Sequence, residues 1–285
     1  VPENTVDIEA WVEDRTIRVR AASQRTDDIW KVPLLATFAT IRVANDESET
    51  TNPVELLSNV IDDSITTWEY LKASHSDGLD SQMRSSMLTE GFETIGCLIN
   101  STAVTVASAE AAVEKQLESW EFAKPLRALL AQQIVHFWDE RVGVFVKNGE
   151  EVIARSRQFA ELADARRAAR LPDTEKKAWI EAALEDADLR QTVQLAVQND
   201  NALRLCLLES AGRDAPQTTR SRAVQWVTEF AGNWSDVTTE TETRIIDLIA
   251  DAAEDDLTPA APGTAFSERI TSYTRDSGGW QLAVL

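Results

Sequence analysis

From Pro125 onward, apolar residues recur three and four positions apart: Leu126, Leu129, Leu130, Ile134, Phe137, Trp138, Val142 and Phe145. That period lays them along one side of an α-helix, in a stripe wide enough to need cover from several directions. A chain with such a helix at its centre must supply other helices to enclose it. Asn52-Pro53-Val54-Glu55 is a strong start signal, with Asn as N-cap, Pro at the first helical position and Glu three after the cap. Leu56, Leu57, Val60, Ile61, Ile65, Trp68 and Leu71 then follow on one face.

Further helices are expected over about 79–99, 108–121, 150–170, 174–185, 187–210, 217–231 and 239–254. Asn148-Gly149 supplies C-cap chemistry for the helix that Pro125 opens. Thr239 and Glu242 form a capping box for the last helix, whose core face is Ile245, Ile246, Leu248 and Ile249. Residues 1–51 read differently. Val6, Ile8, Ala10 and Val12 alternate with polar residues, as do Ile17 and Val19, which is the period of half-buried strands. The expected fold is therefore mainly α. It has a multi-helix, bundle-like body over 52–257 and a small N-terminal β-hairpin or extended β-rich arm over 1–51. A linker, a short helix and an apolar C-terminal tail follow over 258–285, the two chain ends being suited to docking on the body or on a neighbouring copy.

Charge narrows the partners. The net charge is −20, from 28 Lys and Arg against 48 Asp and Glu. Residues 1–140 carry 11 basic and 24 acidic residues (−13), 141–177 carry 9 and 6 (+3), and 178–285 carry 8 and 18 (−10). Phosphate binding needs clustered Lys and Arg, so nucleic acid is a conceivable partner only through 141–177. Abundant carboxylates with 7 Lys against 21 Arg also suit a protein of high-salt surroundings. No run of about 18 apolar residues spans a membrane.

The chemistry-bearing candidates are few. On a continuous helix over 150–170, Arg155, Arg166 and Arg170 share a side with Phe159 and Leu162, while Arg167, Lys176 and Lys177 extend the positive region. Arginines beside apolar residues suit a contact surface, facing an acidic partner or phosphate, or else ion pairs inside the chain. Asp62-Asp63 sits mid-helix with Glu69 and could hold Mg²⁺. The class I terpene synthases pair such a motif with a second one of Asn-Asp, Ser and Glu. Here Leu203 stands at the Ser position, and no resemblance follows. His136 lies one turn from Asp139 and Glu140 but has no second such motif to complete a di-metal site. His75 falls in a polar stretch. Cys97 and Cys206 sit in apolar surroundings that suit free thiols, although a single pair leaves a disulfide open. There is no P-loop, dinucleotide fingerprint or Gly-x-Ser-x-Gly elbow. The sequence thus implies no catalytic residue, no cofactor and no metal.

The expected function is a non-enzymatic structural or assembly protein that binds other copies of itself, most concretely a virus coat or nucleocapsid-type subunit. Two alternatives stand beside it: an all-helical enzyme with a carboxylate-based Mg²⁺ site, and an acidic regulatory module binding a basic partner.

Overall fold

A computed structural model describes residues 8–25, 33–44, 53–72, 80–231, 234 and 237–254. The mainly α class holds: twelve α-helices accompany one small sheet among these residues. The helices are α1 (Ile8–Arg25), α2 (Pro33–Ala44), α3 (Pro53–Lys72), α4 (Ser81–Ser101), α5 (Val106–Gln116) and α6 (Lys124–His136). They continue with α7 (Arg157–Ala169), α8 (Asp173–Glu185), α9 (Arg190–Asn199), α10 (Asn201–Ser210), α11 (Gln217–Phe230) and α12 (Thr239–Glu254).

The N-terminal strands expected over 1–51 are corrected to helices α1 and α2. The alternation of Ala10 and Val12 and of Ile17 and Val19 is overridden by contacts that only a helix makes. Asp14 pairs with Arg18 at 3.0 Å, and the Arg15 guanidinium lies 5.3 Å from the centre of the Trp11 ring. Both pairs are four residues apart, one helical turn. In α2 the same spacing brings Ala39 and Val43 to the buried side.

The stretch from Pro125 is also shorter than its apolar pattern. It leaves α-geometry at Phe137, runs as a π-turn over Phe137–Val142 and stops at Gly143, whose φ of +72° is the left-handed conformation that favours glycine. The N–H of Gly143 donates to the Trp138 carbonyl. Phe145 belongs instead to a hairpin, β2 (Phe145–Asn148) and β3 (Glu151–Ala154). Asn148 faces Glu151, so Gly149-Glu150 is the two-residue turn, with Gly149 at φ +66°. Asn148-Gly149 therefore makes a hairpin and is not a helix cap. A short β1 (Val104–Thr105) joins the other edge of β3, giving an antiparallel sheet of order β1-β3-β2. The continuous helix expected over 150–170 is in consequence only its second half, α7.

Packing centres on α4 and α7, the most extensively paired helices. Gly96 of α4 is what lets them approach: a Cβ there would overlap that of Ala163 and press on Phe145. The α4 surface also meets α3, α5 and α6, with Phe92 against Trp138 (5.1 Å) and Phe145 (5.3 Å). The helix expected over 187–210 is two, α9 and α10, broken at Asp200, whose side chain caps α10 through the Leu203 N–H. Helices α8 to α12 pack among themselves, and α9 joins them to α7. One buried apolar cluster runs through all of this, from Ala39 to Leu248. Residues 45–51 and 258–285, with His75, lie outside the described residues.

Candidate functional site

The positive segment is largely consumed inside the chain. Arg166 of α7 grips Asp62 of α3 with two hydrogen bonds of 2.9 Å and adds a third to the Ser58 carbonyl. Arg170 reaches Glu93 of α4 at 3.1 Å. The Lys176 ammonium donates to Asp200 at 2.9 Å and lies 3.4 Å from Asp173. That hydrogen bond raises the Lys176 pKa. Lys177 sits 3.7 Å from Glu209, with both side chains half exposed. Arg155 is not on the helix: it follows β3, donates its backbone N–H to Val144 and is exposed. It does not share a face with Arg166 and Arg170. Arg167 is exposed beside Cys97 and Asp164.

The acidic candidates separate as well. Asp62 faces Arg166, whereas Asp63, turned about 100° on the helix, pairs with Arg42 of α2 at 2.7 Å. His136 approaches Glu140 at 3.3 Å, while Asp139 accepts from the Lys147 backbone N–H at 3.0 Å. The three residues do not converge. Among the described residues no three His, Cys, Asp or Glu side chains come together in a way that could hold a metal ion. Cys97 and Cys206 are both free thiols.

What the structure does bring together is a polar seam between α4 and α7. Glu93, Cys97 and Asn100 follow one another at helical spacing on α4. Arg170, Arg167 and Asp164 answer them on antiparallel α7. Asn100 donates to Asp164 at 3.0 Å and to Thr192 of α9 at 3.2 Å. Burial disfavours the charged form of each acid here. It pushes Glu93 up to about 7 against the opposing pull of Arg170 and Arg166, and the neighbouring Glu90 adds to the rise. Burial raises Asp164 too, although hydrogen bonds from Asn100 and Cys97 oppose it. The Cys97 thiol, half-buried and beside Asp164, is pushed up to about 11 by burial first and by Asp164 second. A thiol held that high stays protonated at neutral pH and is no nucleophile. Glu161, one turn before Asp164, is raised by burial and countered by Arg157 at 2.9 Å.

The seam can therefore hold and release protons, but it lacks the thiolate needed for nucleophilic work. Sequence reading missed it because each helix was read through its apolar stripe. The available signal was Glu93 lying inside Gly91-Phe92-Glu93-Thr94-Ile95, with Cys97 and Asn100 four and seven positions on. No protein-family model, curated protein or solved structure matches this chain.

Proposed function

We propose that this chain is a non-enzymatic structural subunit that associates with copies of itself, and that helix α1 is the contact. The observation that carries this reading is the exposure of α1. Of its described side chains, Ala10 to Ala22, only Ala22 is buried. Val12 is 48% and Ile17 60% exposed, and Ile41 of α2 adds a further 51% exposed aliphatic. The helix rests chiefly on α2, and α2 on α3. A helix so little used by its own fold gains most by burial against another surface.

Charge supports another copy as that surface. Within Ile8–Arg25, Arg15, Arg18, Arg20 and Arg25 stand against Glu9, Glu13 and Asp14, four against three, for +1. The whole chain carries −20. A locally basic helix on an acidic protein is complementary to the rest of its own kind. The internal pairing of Arg166, Arg170, Lys176 and Lys177 weighs against nucleic acid as the partner of 141–177, since phosphate would have to displace carboxylates already in place.

Sedimentation velocity of the full chain over a wide concentration range tests the proposal. Salt should be about 0.15 M or above, where repulsion between two such acidic chains is largely screened. The expected result is a mass that climbs with concentration and returns to the monomer in the double variant Val12→Asp, Ile17→Asp. A strict monomer at every concentration and salt overturns it.

A further inference from the structure

The α4–α7 seam buries a carboxylate that the assembly reading does not use. Glu93 is 4% exposed at the most extensively paired helix interface among the described residues, three residues from the Gly96 crossing. Its Oε1 lies 3.1 Å from the Arg170 guanidinium, yet it accepts no hydrogen bond of acceptable geometry. Arg170 itself is anchored at one end only, with 53% of its side chain in solvent. The pair thus joins a buried acid to a half-exposed base.

The charged groups around Glu93 favour movement of that one residue. On α7 and at its C-cap the cations facing it are Arg166, Arg167 and Arg170. Arg166 is held away by its bidentate grip on Asp62 of α3, and Arg167 stands beside Cys97 and Asp164. On α4 itself the facing group is Glu90, fixed by the Trp120 indole N–H at 2.9 Å and by Gln116. Arg170 is the cation of the three that pairs with Glu93, at 3.1 Å.

We propose that the α4–α7 seam is a proton-operated latch, in which uptake of a proton by Glu93 releases Arg170 to solvent. The step is an acid–base exchange with water: the carboxylate gains a proton, no bond between heavy atoms changes, and the ion pair becomes a neutral acid beside a solvated guanidinium. Loss of the proton draws Arg170 back across the seam. The range in which this happens follows from burial, which holds the Glu93 carboxyl at about 7. Small pH changes around neutrality therefore add or remove one exposed positive charge at the end of α7.

The test is a titration of the full chain by NMR between about pH 5 and about pH 9, following the Glu93 side-chain carboxyl carbon and the Arg170 guanidinium nitrogens. The expected result is a Glu93 midpoint within about one unit of 7 and an Arg170 response sharing that midpoint. In Glu93→Gln, which keeps the shape of the side chain, the Arg170 response should vanish. A Glu93 midpoint at an ordinary carboxylate value overturns the latch. So does an Arg170 signal indifferent to pH, or one that still titrates in Glu93→Gln. If that variant does not fold, the two wild-type titrations decide alone.

Discussion

The α4–α7 seam and helix α1 contain the same kind of ion pair in opposite surroundings. Arg170 and Glu93 lie 3.1 Å apart with the acid's side chain buried, and Arg18 and Asp14 lie 3.0 Å apart with both side chains about half exposed. Distance does not separate them; water does. A surface pair one helical turn apart contributes about 0.3–0.5 kcal/mol and is screened by salt. At the seam the attraction has to offset the cost of drying a carboxylate, which is why Glu93 is only half ionised near neutral pH. Carboxylate and arginine in the seam thus meet where water is excluded, whereas on α1 they stand in solvent beside the exposed Val12 and Ile17.

The comparison breaks most visibly at Gly96. Gly96→Val puts a branched side chain where a single Cβ already meets Ala163. Backbone-anchored atoms cannot rotate aside, so α4 and α7 must separate. The expected loss is about 3 kcal/mol or more, a large part of the total of about 5–15 kcal/mol typical of a folded domain. Chemical denaturation should show it as a lowered midpoint. Survival of wild-type stability would mean that the seam is looser than its geometry.

Glu93→Gln should act in the opposite direction, and only at high pH. The folded chain keeps the Glu93 proton up to about pH 7, whereas an ordinary Glu releases it near 4.5. Below 4.5 both folded and unfolded chains carry the proton, and its stabilising contribution is complete. As pH rises from 4.5 through 7 that contribution is lost. A shift of this size corresponds to something on the order of 3 kcal/mol. The variant is therefore expected to match the wild type at about pH 4 and to melt higher than it at about pH 8. Equal melting at both values would separate Glu93 from the pH response. Asp164 and Glu161, raised in the same direction, remain in both proteins and cancel in the comparison.

Much of the fold was legible because helix signals are local. Asn52-Pro53-Val54-Glu55 announced α3, the helix expected over 174–185 is α8, and Ile245 and Leu248 took the buried side of α12. Errors came where one local signal has two meanings. Asn148-Gly149 suits a helix cap and a hairpin turn equally, and only the pairing of Phe145 with Ala154 decides. Alternation over 8–19 favours a strand, but no strand partner exists for it among the described residues, and the i,i+4 contacts of Trp11, Asp14, Arg15 and Arg18 favour the helix. The seam was hidden for a different reason. Glu93 gains its character from burial at the crossing with α7, whose partner Arg170 lies 77 residues on (170 minus 93), and no window of sequence contains both. Arg155 was misplaced by the same hairpin error, since a helical wheel means nothing across β3.

A smaller effect is expected at Asp200, which caps α10 and holds the nearly buried Lys176. Asp200→Ala should lower stability by about 2 kcal/mol, from the lost cap and the lost hydrogen bond to a buried ammonium that keeps only Asp173. Arg166→Ala removes a bidentate tie, but to an Asp62 that is 56% exposed, so about 1 kcal/mol is the expected cost. The least effect on the melt is expected on α1, and this is where the comparison between the two regions is sharpest. Val12→Asp and Ile17→Asp replace side chains that are already in water, and each should shift stability by no more than about 0.5 kcal/mol. If α1 is the contact, the same two substitutions are expected to abolish association, because the aliphatic surface they remove is exposed among the described residues. Thermal melts at a concentration where the chain is monomeric, set beside sedimentation at high concentration, resolve the two effects. A large loss of stability in the monomer would place α1 among the structural helices and leave Val12 and Ile17 to the core instead of a partner.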